Sequence, residues 1–148
     1  MDLEEQYDHI YRYCYYRLHH VQLAEDITQE VFLRYFEHMS KDAGGRPLAY
    51  LYTVARNLCI DEYRKKKGDG SFSDLPGVHP QEELVETVVL KQALETLTER
   101  ERELVLLRYV NEVPITDMAN IYQVSRFALY RELKKALKQL KRRLSNEE

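Results

Sequence analysis

The chain has 148 residues, 22 Lys/Arg against 25 Asp/Glu and a formal net charge of −3, with 44% hydrophobic residues. That is enough apolar material for one ordinary domain or two small packed ones, and no apolar run approaches the roughly 20 residues that span a bilayer. The acidic start MDLEEQYDHIYRY has no signal-peptide pattern, so the expectation is a cytoplasmic protein without membrane insertion.

Taken in order, Asp2 and Glu5 have N-cap and N3 spacing, and Leu3, Tyr7, Ile10, Tyr11, Cys14 and Leu18 recur at helical steps. His19–Gln22 reads as a break. A second helix is expected from about Leu23 to Met39, with Ala24, Ile27, Val31 and Tyr35 inward. Residues 40–47 (SKDAGGRP) form a loop with paired glycines. Pro47 suits the first turn of a third helix, which runs to the cluster Arg64–Lys67. Leu51, Val54, Ala55, Leu58 and Tyr63 are its expected apolar face. Cys14 and Cys59 are too few and too scattered for a disulfide framework and read as reduced core thiols.

Residues 68–81 (GDGSFSDLPGVHPQ) hold three of the five glycines and two of the four prolines and show no period. They read as a flexible linker between module 1–67 and module 82–148. Leu84, Val85, Val88, Val89, Ala93 and Leu97 make the first stripe of the second module. Thr98 and Glu101 have capping-box spacing, starting a helix that carries Leu104, Val105 and Leu107 to Val110. Asn111-Glu112 is a turn, Pro114 suits the first turn of the next helix, and Ser125 is a natural N-cap for the last. No strand shows clean alternation, so the fold class is all-α: two small helical domains, the second a helix-turn-helix.

The last helix carries the strongest chemical signal. Leu129, Leu133, Leu137, Leu140 and Leu144 form one seam, and cations fill another face. Residues 126–143 contain eight Lys/Arg and one Glu, a local charge of +7, so the remainder of the chain sums to −10. A reading helix exposes donors near its N-terminal half, which enters the major groove. Arg126, Arg131, Lys134 and Lys135 can reach phosphates or guanine edges, and Tyr130 can pack on a sugar or a thymine methyl. The competing reading is a merely solvated basic helix, which the preceding short helix, the small Ala119 and the Ser125 cap disfavour. In the third helix, Tyr50, Tyr52, Asn57 and Tyr63 are interleaved with Arg56 and Arg64, a mixture that suits unstacked bases. Taken alone it is ambiguous, and tyrosines and valines at helical spacing are more often a core face. No histidine spacing, Gly-rich loop or nucleophile motif suggests an enzyme, a metal or a cofactor.

With these residues in place, the chain resembles the extracytoplasmic-function (ECF) group of bacterial RNA polymerase sigma factors. LAEDITQEVFLRYF is similar to the core-polymerase-binding motif. PLAYLYTVARNLCIDEYRKKK resembles the promoter-melting segment, including Ala55-Arg56-Asn57, Asp61 and Arg64. LTERERELVLLRYV with ITDMANIYQVS…LYRELKKALKQLKRRL resembles the C-terminal helix-turn-helix.

The resemblance implies docking on core RNA polymerase, at the β′ coiled coil and the β flap, with Asp26, Gln29, Glu30 and Phe32 on the docking face. It implies −10 promoter DNA at Tyr50, Tyr52, Arg56, Asn57 and Arg64. It implies −35 DNA at Arg126, Phe127, Tyr130, Arg131, Lys134, Lys135 and Lys138. An anti-sigma factor is a further partner common in the family, with no residue pointing to it. The chain departs from the family pattern at Gln123, where the turn usually has Gly, at Arg126-Phe127-Ala128 in place of Glu-Gly-Thr, at Glu132 in place of Arg, and at Tyr50 in place of Trp. The alternatives are a stand-alone helix-turn-helix regulator and a sigma-like adapter that binds only protein.

Overall fold

The computed structural model describes residues 2–39, 46–69 and 91–146. The chain divides into two compact units, Met1–His79 and Pro80–Glu148. All the regular structure among the described residues is helical.

The first unit packs three helices against one another: α1 (Leu3–Leu18), α2 (Val21–Met39) and α3 (Pro47–Asp69). Asp2 caps α1 as its spacing predicts, its Oδ1 accepting from the amides of Glu4 (3.0 Å) and Glu5 (3.3 Å). His19 ends the helix in the left-handed conformation, its N–H donating to the Tyr15 carbonyl (2.7 Å). One residue more suffices for the break. α2 begins at Val21, two residues earlier than expected, because His20 Nδ1 accepts the Leu23 amide (3.2 Å) and serves as the cap that hydropathy does not reveal.

The core of this unit is Ile10, Tyr13, Cys14 and Leu18 from α1, Ala24, Ile27, Val31 and Phe32 from α2, and Ala49, Leu51, Tyr52, Ala55 and Cys59 from α3. Thr28 is also fully buried, its hydroxyl donating to the Ala24 carbonyl (2.6 Å), which satisfies the polar atom inside the helix. The inner face of α3 is therefore rotated from the expected one: Val54 and Leu58 are only half-buried and Tyr63 is exposed. The two cysteines are buried free thiols on α1 and α3. A hydrogen bond to Cys14, followed by burial, pushes the Cys59 thiol far above its ordinary range, so it stays protonated.

In the second unit residues 91–95 are helical (α4), and Ala93 and Leu97 are buried. The residues expected to form the start of this stripe, Leu84 to Val89, lie outside the described residues, as do 40–45 and the linker from 70 onward. The beginning of that linker is helical instead, since α3 continues through Asp69. α5 (Glu99–Val105) opens on the full capping box: the Glu101 amide donates to Thr98 Oγ1 (3.1 Å) and the Thr98 amide to Glu101 Oε1 (3.0 Å). α5 runs into a π-helical turn, Leu106–Val110, closed by the Asn111 amide on the Leu106 carbonyl (3.0 Å). Pro114 then stands at the N-cap of α6 (Ile115–Tyr122), one residue before the first turn where its fixed φ was expected to serve. α7 (Arg126–Asn146) packs on α5 and α6 through Leu129, Leu133 and Ala136; of the rest of the expected leucine seam, Leu137 is exposed and Leu140 and Leu144 are half-buried.

Candidate functional site

The helix-turn-helix is α6, a three-residue turn and α7. Gln123 sits at φ 57°, ψ 47°, and the Val124 amide donates back to the Ala119 carbonyl (3.1 Å). The turn thus keeps the left-handed geometry that glycine usually supplies, at a cost on the order of 1 kcal/mol for a residue with a Cβ. Ser125 caps α7, its Oγ accepting from the Ala128 amide (3.1 Å). With Leu129, Leu133 and Ala136 turned inward, all seven residues expected to face −35 DNA are exposed: Arg126, Phe127, Tyr130, Arg131, Lys134, Lys135 and Lys138.

Glu132, the acid in the middle of this basic helix, does not point into the basic face unpaired. Arg100 of α5 forks onto it, Nε to Oε1 at 2.7 Å and a terminal nitrogen to Oε2 at 3.1 Å. The same guanidinium lies 4.9 Å from the Tyr122 ring centroid, and the Tyr122 hydroxyl donates to the buried Glu103 carboxylate. A chain of contacts therefore joins α5, α6 and α7 and fixes the azimuth of the basic helix. Sequence reasoning missed it, because Arg100 and Glu132 are 32 positions apart and no local spacing connects them.

On α3, Tyr50, Asn57 and Arg64 recur at steps of seven and so share a face; Asn57 and Arg64 are exposed, and Tyr50 and Arg56 are half-buried. Tyr50 is tied to α2: its ring stacks on His38 (4.6 Å between centroids, 11° between planes), and its hydroxyl donates to the Arg34 carbonyl (3.2 Å). Tyr52 is on the other side. It is 1% exposed and packs edge-on against Tyr13 at 5.8 Å. Its ring has no surface to offer a base and belongs to the core, contrary to the expectation of a −10 contact at Tyr52.

On α2, Asp26 and Gln29 are exposed and Glu30 is half-buried. Asp26 Oδ1 accepts from Gln22 Nε2 (3.0 Å), and Glu30 is paired with Arg34 (2.8 Å). Phe32 is 6% exposed, its ring 5.3 Å from Tyr7 and 6.5 Å from Tyr35. It belongs to the core and not to a docking face. Leu33 (59% exposed) and Phe36 (46%) hold the apolar positions on the outer side instead. With Gln22, Asp26 and Gln29 they form a stripe at steps of four and three, the spacing of a coiled-coil seam. Among the described residues no group of three His, Cys, Asp or Glu is placed to hold a metal ion, and no helix is long and apolar enough to cross a membrane.

A capped helix-turn-helix with a cation-rich outer face defines a DNA-binding protein, in a chain that also holds a second helical unit with its own exposed stripes. Residues 3–68 match the family model of Sigma-70 region 2, and residues 87–140 that of Sigma-70, region 4. The ECF RNA polymerase sigma factor SigW of Bacillus subtilis is 30% identical over 136 residues, spanning 79% of this chain and 73% of SigW. The ECF RNA polymerase sigma factor BldN of Streptomyces coelicolor is 31% identical over 136 residues, spanning 80% of this chain and 50% of BldN. Among solved structures, the sigma factor RpoE from Bartonella quintana, in complex with the anti-sigma factor NepR, shares the fold with a TM-score of 0.71 at 21% identity, covering 94% of this chain and 91% of RpoE. The chain belongs to the ECF family of RNA polymerase sigma factors. It is a promoter-recognising transcription initiation factor that works with core RNA polymerase.

Proposed function

We propose that three exposed faces divide the work of promoter recognition and opening. The observation that carries this reading is the exposure of all seven positions of α7, five of them cationic, with Leu129, Leu133 and Ala136 buried behind them. α7 lies in the major groove of the −35 element, with Arg131, Lys134 and Lys135 on base edges and phosphates, and Lys138 on phosphate. α3 receives unstacked bases of the −10 element on the Tyr50–Asn57–Arg64 face: the Asn57 amide reads a base edge, Arg64 and the neighbouring Arg56 hold phosphate, and Tyr50 borders the site. Strand opening draws on this binding alone, with no bond chemistry by the protein. The domain division follows the same lines: residues 1–67 hold polymerase and the −10 element, residues 82–148 hold the −35 element, and 68–81 connect them. The protein acts in the cytoplasm, where polymerase meets promoter DNA.

The α2 stripe Gln22–Asp26–Gln29–Leu33–Phe36 docks on core polymerase. A heptad-spaced stripe fits a helical partner, as the β′ coiled coil would be, and Asp26 suits a basic residue on it. The β flap is the partner surface for the second unit, and an anti-sigma factor, as RpoE has in NepR, is the remaining partner class.

Asp26→Lys and Leu33→Asp are expected to weaken binding to core polymerase about tenfold each, on the order of 1.4 kcal/mol. Neither should change the helical content, since both side chains are exposed. Titration of labelled core enzyme with each variant measures this. Unchanged affinity for both variants would move docking away from α2.

A further inference from the structure

Phe127 is the most exposed large apolar side chain among the described residues, 77% accessible. It is the second residue of α7, just inside the Ser125 cap. Residue 127 lies about 200° around the helix from the inward Leu129, so no repacking of α7 against α5 and α6 can bury its ring. Around it the surface is mainly cationic: Arg126 adjoins it, Arg131 is one turn on and Lys134 two turns on, all exposed, with the exposed Tyr130 three residues on. The cations draw the N-terminal end of α7 onto a polyanion and leave the Phe127 ring open to solvent.

A phenyl ring carries no donor or acceptor and cannot read the hydrogen-bonding edges of guanine, cytosine or adenine. The one apolar group that base edges present in the major groove is the C5-methyl of thymine. We propose that Phe127 is a specificity-determining residue that packs on a thymine methyl in the upstream promoter element. The inference rests on the placement of α7 in the −35 major groove. It adds to that placement a base identity at the position facing the start of the helix: a thymine, on either strand.

The test uses the full chain with core polymerase on a promoter duplex chosen by transcription from a random upstream-element library. Each thymine of the upstream element is replaced singly by deoxyuridine, which removes only the methyl. For wild type, one such replacement should weaken closed-complex affinity about three- to tenfold. Phe127→Ala should show a comparable loss on the unmodified duplex and no further loss at that deoxyuridine, whereas Phe127→Leu should keep part of the discrimination. If every deoxyuridine duplex binds wild type like its thymine parent, or if Phe127→Ala retains the full deoxyuridine penalty, the proposal is overturned. Arg131→Ala and Lys135→Ala, measured alongside, separate the two readings. Loss of binding in these with no Phe127–methyl coupling overturns the thymine contact only, and no loss in either overturns the placement of α7 itself.

Discussion

Tyr52→Ala is expected to destabilise the first unit by about 3–5 kcal/mol, the usual cost of emptying a buried aromatic site. The ring is almost wholly enclosed and meets Tyr13 edge-on at 5.8 Å, a favourable aromatic geometry. Tyr13 is itself held from outside by Arg17, whose guanidinium nitrogen donates to the Tyr13 hydroxyl (3.1 Å). Domains of this size are stable by only about 5 kcal/mol or a little more, so the variant should lose cooperative melting of one transition near ambient temperature. Circular dichroism during heating measures it. A variant that melted like wild type and lost only promoter opening would return Tyr52 to the DNA-binding face from which its burial removes it.

Asn57→Ala is expected to separate the two halves of promoter recognition. Asn57 is exposed and contributes nothing to the core, so stability should stay within about 0.5 kcal/mol of wild type. The lost base-edge contact is worth about 1–3 kcal/mol, so open complexes should fall roughly ten- to a hundredfold while closed complexes on duplex DNA stay intact. Permanganate reactivity of unpaired thymines against filter binding at low temperature reports the two steps. Equal loss in both would mean that Asn57 acts on duplex contacts and not on captured bases. Tyr52 and Asn57 stand five positions apart on α3, and these opposite expectations follow from opposite sides of one helix.

That contrast also shows how far sequence reading reached. The local devices were legible: the Asp2 cap, the Thr98–Glu101 box and the Ser125 cap each depend on residues within one turn, and each forms as its spacing predicts. The basic face of α7 was legible from its cations at regular steps, but its inner seam only in part: Leu129 and Leu133 are buried as expected, whereas Ala136 turns inward and Leu137 is exposed. The phase of α3 was not. Leu51 and Tyr52 are adjacent and both apolar, and which way the pair turns is decided by Tyr13 on another helix. Phe32 and Leu33 pose the same ambiguity on α2. There the aromatic residue is drawn in by Tyr7 and Tyr35, and the leucine is left outside.

Glu132 was legible as a departure from the family pattern but not as a partner, since Arg100 reaches it through the tertiary fold. The acid that seemed out of place on a DNA-reading helix is the point at which α7 is fastened to α5.

The central claim is that this chain gives core RNA polymerase its promoter selectivity. The most direct measurement is run-off transcription by purified bacterial core polymerase on a promoter library, with and without the protein. The account predicts transcripts that start at defined positions only when the protein is added, from templates sharing upstream and −10 elements. Failure to form a stable complex with core polymerase, or start sites unchanged by its addition, would contradict it.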